Sequence, residues 1–141
     1  MGKTHIISNF VNGFIPNDIR ATLGIDFLSK VVRDPSSGMP IKMMIFDTAG
    51  EEKYHAVTAN HYRKAKGCFI VYDVTNRQSF ENVDKWLTNV RQLGDPECVI
   101  IVLGNKCDID SVSHNTDMSN ESSFRSAKKS LLREVTLDEG L

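Results

Sequence analysis

Two short apolar runs constrain this chain most, Cys68-Phe69-Ile70-Val71-Tyr72 and Cys98-Val99-Ile100-Ile101-Val102-Leu103. Nearly unbroken hydrophobicity over so short a span suits strands covered on both faces, as parallel strands are. Between the runs, Phe80, Val83, Leu87 and Val90 recur at helical spacing with Trp86 beside them, and predict one amphipathic helix. Strand, helix and strand make a βαβ unit, so the chain is expected to be α/β, an open sheet flanked by helices.

The flanking segments fit that plan. From Thr4, apolar residues at Ile6, Ile7, Phe10, Val11 and Phe14 form a helical stripe that Pro16 ends. Residues 25 to 32 alternate as Ile25, Phe27, Ser29 and Val31, and residues 41 to 46 read as a second strand. Asp34-Pro35-Ser36-Ser37-Gly38 between them is a hairpin turn signal. From Asp108 to Ser126, 11 of 19 residues are Ser, Asp or Asn, too polar to pay for their own ordering. A flexible insert is therefore expected over residues 109–126 of a single domain spanning 1–141, with a short basic helix from Phe124 to Leu132. Thr136-Leu137-Asp138-Glu139 matches a capping box.

Composition excludes several classes. With 17 basic and 18 acidic residues in 141, the net charge is −1, which argues against a dedicated nucleic-acid binder. Arg63-Lys64-Ala65-Lys66 reads as a solvated helix face. The longest apolar run is six residues, against about 18 for a membrane-spanning helix, and no apolar secretory segment follows Met1. Cys68, Cys98 and Cys107 are odd in number and widely spaced, which suggests reduced, partly buried thiols of a cytosolic protein. His5, His55, His61 and His114 have no metal-ligating spacing with them.

Three motifs carry chemistry. Gly2-Lys3-Thr4 opens a helix whose first amides attract phosphate; Lys3 can reach terminal phosphates and the Thr4 hydroxyl can ligate Mg²⁺. Phe46-Asp47-Thr48-Ala49-Gly50 follows a strand, where phosphoryl transfer needs a carboxylate for Mg²⁺ and a glycine amide for the γ-phosphate. Asn105-Lys106-Cys107-Asp108 ends the last apolar strand, where a carboxylate can accept the two N–H donors of guanine while the lysine stem packs on the ring.

In this order the motifs resemble those of a small GTPase of the Ras superfamily, most of all the Rab family. Ala21-Thr22-Leu23-Gly24-Ile25-Asp26-Phe27-Leu28-Ser29-Lys30, Tyr62-Arg63-Lys64-Ala65 and Val71-Tyr72-Asp73-Val74-Thr75 are similar to its switch and strand motifs. The resemblance covers residues 2 to 110 and resumes at Arg133-Glu134-Val135; Ala21 to Lys30 looks most like the Golgi-associated branch. It implies a P-loop NTPase-like sheet, here lacking the first strand and the closing strand and helix. It also implies GTP/GDP and Mg²⁺ as ligands, with Thr4, Thr22 and Asp47 on the metal. Gly2, Lys3 and Gly50 would hold the phosphates, and Asn105, Lys106 and Asp108 would select guanine. Ser126-Ala127-Lys128 imitates a base-contacting loop of the family but stands out of its order.

By the same resemblance the function is GTP hydrolysis as a switch in vesicle-mediated transport, exerted through effector, exchange-factor and GTPase-activating proteins. The chain would be a monomer without nucleic-acid partners. Its place would be cytoplasmic, at the cytosolic face of Golgi or other endomembranes if a longer form is lipidated. No lipid-accepting cysteine stands in Asp138-Glu139-Gly140-Leu141. Lys3 and Glu51 are the expected catalytic residues. Glu51 falls where the family has a water-positioning Gln; an ionised Glu only accepts hydrogen bonds, so hydrolysis is expected to be slow. The guanine-stacking aromatic falls at Ile15, with Phe14 one place early, and the effector-facing aromatics at Phe27, Phe46 and His61. A non-catalytic interaction module and an inactive fragment are the alternative readings.

Overall fold

Gly2 turns the chain into its first helix with φ of 86°, a left-handed conformation that costs glycine little. In the computed structural model of the chain, the described residues are 1–16, 22–50, 61–108, 133–136 and 138–140. The expected insert at 109–126, the basic helix from 124 and Glu51 lie outside them. Contacts divide the chain into two units, Gly2–Lys64 and Met1 with Ala65–Leu141.

The first unit holds α1 (Lys3–Asn12), β1 (Ile25–Arg33) and β2 (Pro40–Thr48). The helix stops at Gly13, φ 79°, whose amide donates to Asn9 O at 2.9 Å, a turn short of Pro16. β1 and β2 pair antiparallel from Ile25↔Thr48 to Arg33↔Pro40. Asp34 fastens the hairpin: its carboxylate accepts from the Ser36 and Ser37 amides at 3.3 and 3.0 Å, and Gly38 takes φ of 70°. Lys30 ties the strand to the helix; its ammonium donates to Phe10 O and lies 4.5 Å from the Phe10 ring centroid.

The second unit holds β3 (Gly67–Asp73), α2 (Arg77–Glu81), α3 (Val83–Leu93), β4 (Val99–Asn105) and a 3-10 turn at Asp138–Gly140. β3 and β4 run parallel, from Gly67↔Val99 to Asp73↔Asn105, as the βαβ pattern predicts. Two expectations change. The single helix is two, divided at Asn82, whose amide still donates to Gln78 O at 3.2 Å. Asn82 keeps a right-handed helical backbone (φ −75°, ψ −9°), so the apolar stripe crosses the seam in phase. β4 is also not covered on both faces, since Val99, Ile101 and Val102 are 62%, 44% and 42% exposed. The helices pack mainly on β3, and among the described residues no strand follows β4.

The core of this unit is Tyr72, Val74 and Val135, with Phe80 and Val83 against it. The Tyr72 and Phe80 rings meet edge-on, centroids 5.1 Å apart. Val135 is fully buried. The amides of Glu134 and Val135 both donate to Val74 O, at 2.8 and 3.1 Å. The capping box forms: the Thr136 amide donates to Glu139 Oε2 at 3.0 Å and the Glu139 amide to Thr136 Oγ1 at 3.3 Å. Arg77 then grips Glu139 through both terminal guanidinium nitrogens, at 2.8 and 3.1 Å.

Candidate functional site

In the first unit, three residues distant in sequence meet through their side-chain oxygens. Thr4 sits in the first turn of α1, Thr22 precedes β1, and Asp47 lies near the end of β2. The Thr4 hydroxyl donates to Asp47 Oδ2 at 2.6 Å, and the Thr22 hydroxyl to the same oxygen at 3.3 Å. The two hydroxyl oxygens are 3.0 Å apart. Asp47 is 2% exposed, and its other oxygen, Oδ1, is buried without a hydrogen-bond partner. An unsatisfied buried carboxylate oxygen costs about 1–3 kcal/mol or more, so such an atom calls for a ligand.

A cluster of two hydroxyls and a carboxylate is a hard-oxygen donor set of the kind Mg²⁺ takes. The residues present therefore fit that ion. Among the described residues no cluster of three or more His, Cys, Asp or Glu stands in position to hold a metal ion.

Lys3 opens α1 beside this cluster. Burial pushes its ammonium below the usual lysine range, and the Asp47 charge only partly offsets that. A half-buried cation at a helix N-terminus gains most from an anion. Ala49, the first residue past β2, is pinned by its amide donating to Gly24 O at 2.8 Å. Gly50, just beyond, is exposed.

The Asn105, Lys106 and Asp108 side chains belong to the second unit. Asn105 ends β4 opposite Asp73, and its Nδ2 donates to Met1 O at 2.7 Å, so its amide is engaged with backbone. Lys106 has φ of 67°, the one positive φ at a non-glycine among the described residues. Its ammonium pairs with Asp73 Oδ2 at 2.5 Å. Asp108 is exposed. Cys107 is exposed as well, against the expectation of a partly buried thiol, because it lies past the end of β4; Cys68 and Cys98 are half-buried.

Phe27 and Phe46 are cross-strand partners on the first-unit hairpin. They are 61% and 45% exposed, and the Phe46 ring lies 4.9 Å from that of His61. The three aromatics named from the sequence thus form one surface. Phe14 and Ile15, the two positions considered for base stacking, are both exposed.

Asp73, quoted above only within a strand motif, was given no site role by the sequence. Asp73 closes an otherwise apolar strand and is 5% exposed. A carboxylate at the end of an Ile-Val-Tyr run was the available signal, since such a group is buried only with partners. A shallow hollow lined by Val90, Arg91, Asp95, Pro96 and Cys98 contains none of the motif residues.

The sequence model of the Ras family matches residues 1–138. The Ras-related protein RGP2 of rice is 42% identical over 109 residues, which are 77% of this chain and 49% of that protein. Rab-10 of Caenorhabditis elegans is 41% identical over 109 residues, 77% of this chain and 53% of that protein. RABA4d of Arabidopsis thaliana is 41% identical over 112 residues, 79% and 50%. The chain thus spans about half the length of the curated relatives it matches. With the α/β elements and the order of motifs in agreement, the chain belongs to the Ras family of small GTPases, on its Rab-related side.

Proposed function

We propose that this chain binds guanine nucleotide with Mg²⁺, hydrolyses GTP slowly, and acts as a Rab-type switch in vesicle-mediated transport. The observation that carries the reading is the convergence of Thr4, Thr22 and Asp47, with Asp47 Oδ1 buried and unpartnered. Thr4 and Thr22 would hold Mg²⁺ directly and Asp47 through water. The bound ion supplies positive charge against the phosphate oxygens.

The chain's own groups do the rest. Lys3 and the first amides of α1 bind and orient the terminal phosphates. The Gly50 amide, just past β2, would bond the γ-phosphate. Glu51, outside the described residues, accepts a hydrogen bond from the attacking water but cannot donate to the phosphate. Asp108 accepts from the guanine edge, Lys106 lends its stem to the ring face, and Asn105 holds backbone. Because Thr22 precedes β1, loss of the γ-phosphate would release the segment leading to Phe27, which couples hydrolysis to partner choice. Phe27, Phe46 and His61 would meet effector and regulatory proteins, at Golgi or other endomembranes. A monomer suffices for this role.

A second reading, a non-catalytic interaction module, is favoured by Glu51 and by the exposure of Phe27 and Phe46. Competition separates the two. A fluorescent GDP analogue should bind in millimolar Mg²⁺ and be displaced by GTP and GDP but not by ATP. No binding would leave the interaction module or the inactive fragment.

A further inference from the structure

We propose that Asp73 is the positioning residue of the base-binding side, holding Lys106 so that its stem forms a fixed shelf for the nucleobase. The proposal rests on the guanine-binding reading and adds to it a residue outside the binding motifs.

The geometry is specific. Asp73 is the last residue of β3 and stands opposite Asn105 in the parallel ladder. That ladder continues one step further, the Val74 amide donating to Asn105 O at 3.1 Å. The register thus brings the carboxylate beside the residue that follows Asn105. Asp73 Oδ2 meets Lys106 Nζ at 2.5 Å. Its Oδ1 accepts from the Thr75 amide at 3.0 Å and from the Thr75 hydroxyl at 2.6 Å. The Asp73 amide in turn donates to Ser79 Oγ at 2.9 Å. Both carboxylate oxygens are therefore occupied and the group cannot rotate away.

Lys106 needs such a hold. It stands in the left-handed region, φ 67°, which a β-carbon disfavours. Its side chain is 47% exposed while the Asp73 side chain is 8% exposed. The ammonium end is therefore anchored against a buried carboxylate and half the side chain faces out. A free lysine would lose much rotamer entropy on stacking against a ring, and an anchored one has already lost it. Burial pushes the Asp73 carboxyl up, but the Lys106 ammonium and the Thr75 donors outweigh it and hold it below the ordinary carboxylate range. The carboxylate therefore stays ionised at neutral pH.

The test joins two measurements on the full chain. In the first, acylation of each lysine by an N-hydroxysuccinimide ester is followed by mass spectrometry. Asp73→Asn should raise the Lys106 rate severalfold and leave Lys85 unchanged; an unchanged Lys106 rate overturns the proposal. In the second, release of GDP and of inosine diphosphate is timed. Asp73→Asn should speed both by the same factor, roughly tenfold, because a shelf does not read the base edge, and Asp73→Glu should restore part of the loss. In a Lys106→Met background, Asp73→Asn should add nothing. A merely structural Asp73 would speed release in that background too, and that result overturns the proposal. If the unaltered chain binds neither nucleotide, the guanine-binding reading fails first and the proposal with it. If it binds both and Asp73→Asn changes neither rate, the proposal alone fails.

Discussion

Thr4 and Asp47 stand 43 residues apart, yet the Thr4 hydroxyl donates to Asp47 Oδ2 at 2.6 Å. A helix start and a strand end are thereby joined through oxygen atoms alone, with Thr22 as the third member. Removing Asp47 should therefore weaken Mg²⁺ without abolishing phosphate contacts from Lys3. Asp47→Asn is expected to lower Mg²⁺ affinity by about 10- to 100-fold, the usual cost of losing an outer-shell carboxylate. Nucleotide release measured against Mg²⁺ concentration checks this. An unshifted Mg²⁺ midpoint would remove Asp47 from the metal site.

Glu51 bears on rate rather than binding. Glu51→Gln introduces a side chain that both donates and accepts and, on the proposed function, would remove a negative charge near the phosphates. Single-turnover GTP hydrolysis should rise by roughly tenfold, with nucleotide affinity little changed. A variant no faster than the parent would mean that Glu51 does not limit the step.

Arg77 and two donors from Thr136 hold the Glu139 carboxyl down to about 2, from an ordinary 4.5. The folded value is the lower one, so the contact favours the docked segment fully above pH 4.5 and loses that effect as pH falls toward 2. The side chain is exposed, so salt should weaken the effect. A carboxyl carbon NMR titration should place the Glu139 midpoint near 2; a midpoint near 4.5 would mean the Arg77 contact is not populated.

Val135 packs with Tyr72 and Val74 at the centre of the second unit. Val135→Ala should destabilise that unit by about 2 kcal/mol, the transfer loss plus a small cavity. Denaturant unfolding followed by Tyr and Trp fluorescence measures it. A loss under about 0.5 kcal/mol, the range of surface substitutions, would mean the segment from Arg133 is not docked.

The thiols should separate cleanly. Cys107 is exposed, whereas burial and the neighbouring Cys98 push Cys68 up to about 11. Cys98 is raised as well, chiefly by burial. Iodoacetamide at neutral pH should label Cys107 first and Cys68 last, because the thiolate is the nucleophile. Bound GDP should slow Cys107, which lies between Lys106 and Asp108. Equal labelling of all three would contradict the burial of Cys68.

Local pattern carried the elements further than it carried the site. The alternation from Ile25 to Val31 and the turn at Asp34 predict the hairpin, because period and turn chemistry act locally. The helix seam at Asn82 left no trace, since a residue that stays helical in φ and ψ keeps Phe80, Val83, Leu87 and Val90 in phase. Exposure of β4 was illegible for another reason: an apolar run reports what a strand can bury, and the neighbours decide what it does bury. Within the site, Thr4, Asp47 and Lys106 announced themselves through motifs. Asp73 stood in a strand motif, but its pairing with Lys106 was not legible, because it is supplied by the β3–β4 register, and register is a property of two strands together.

The most direct test of guanine-nucleotide binding is the nucleotide content of the purified chain, extracted by denaturation after gel filtration in Mg²⁺ and identified by chromatography. Close to one equivalent of GDP or GTP per chain is expected, falling after EDTA treatment. A folded chain that carries no nucleotide and takes up none when GDP and Mg²⁺ are supplied would contradict that binding.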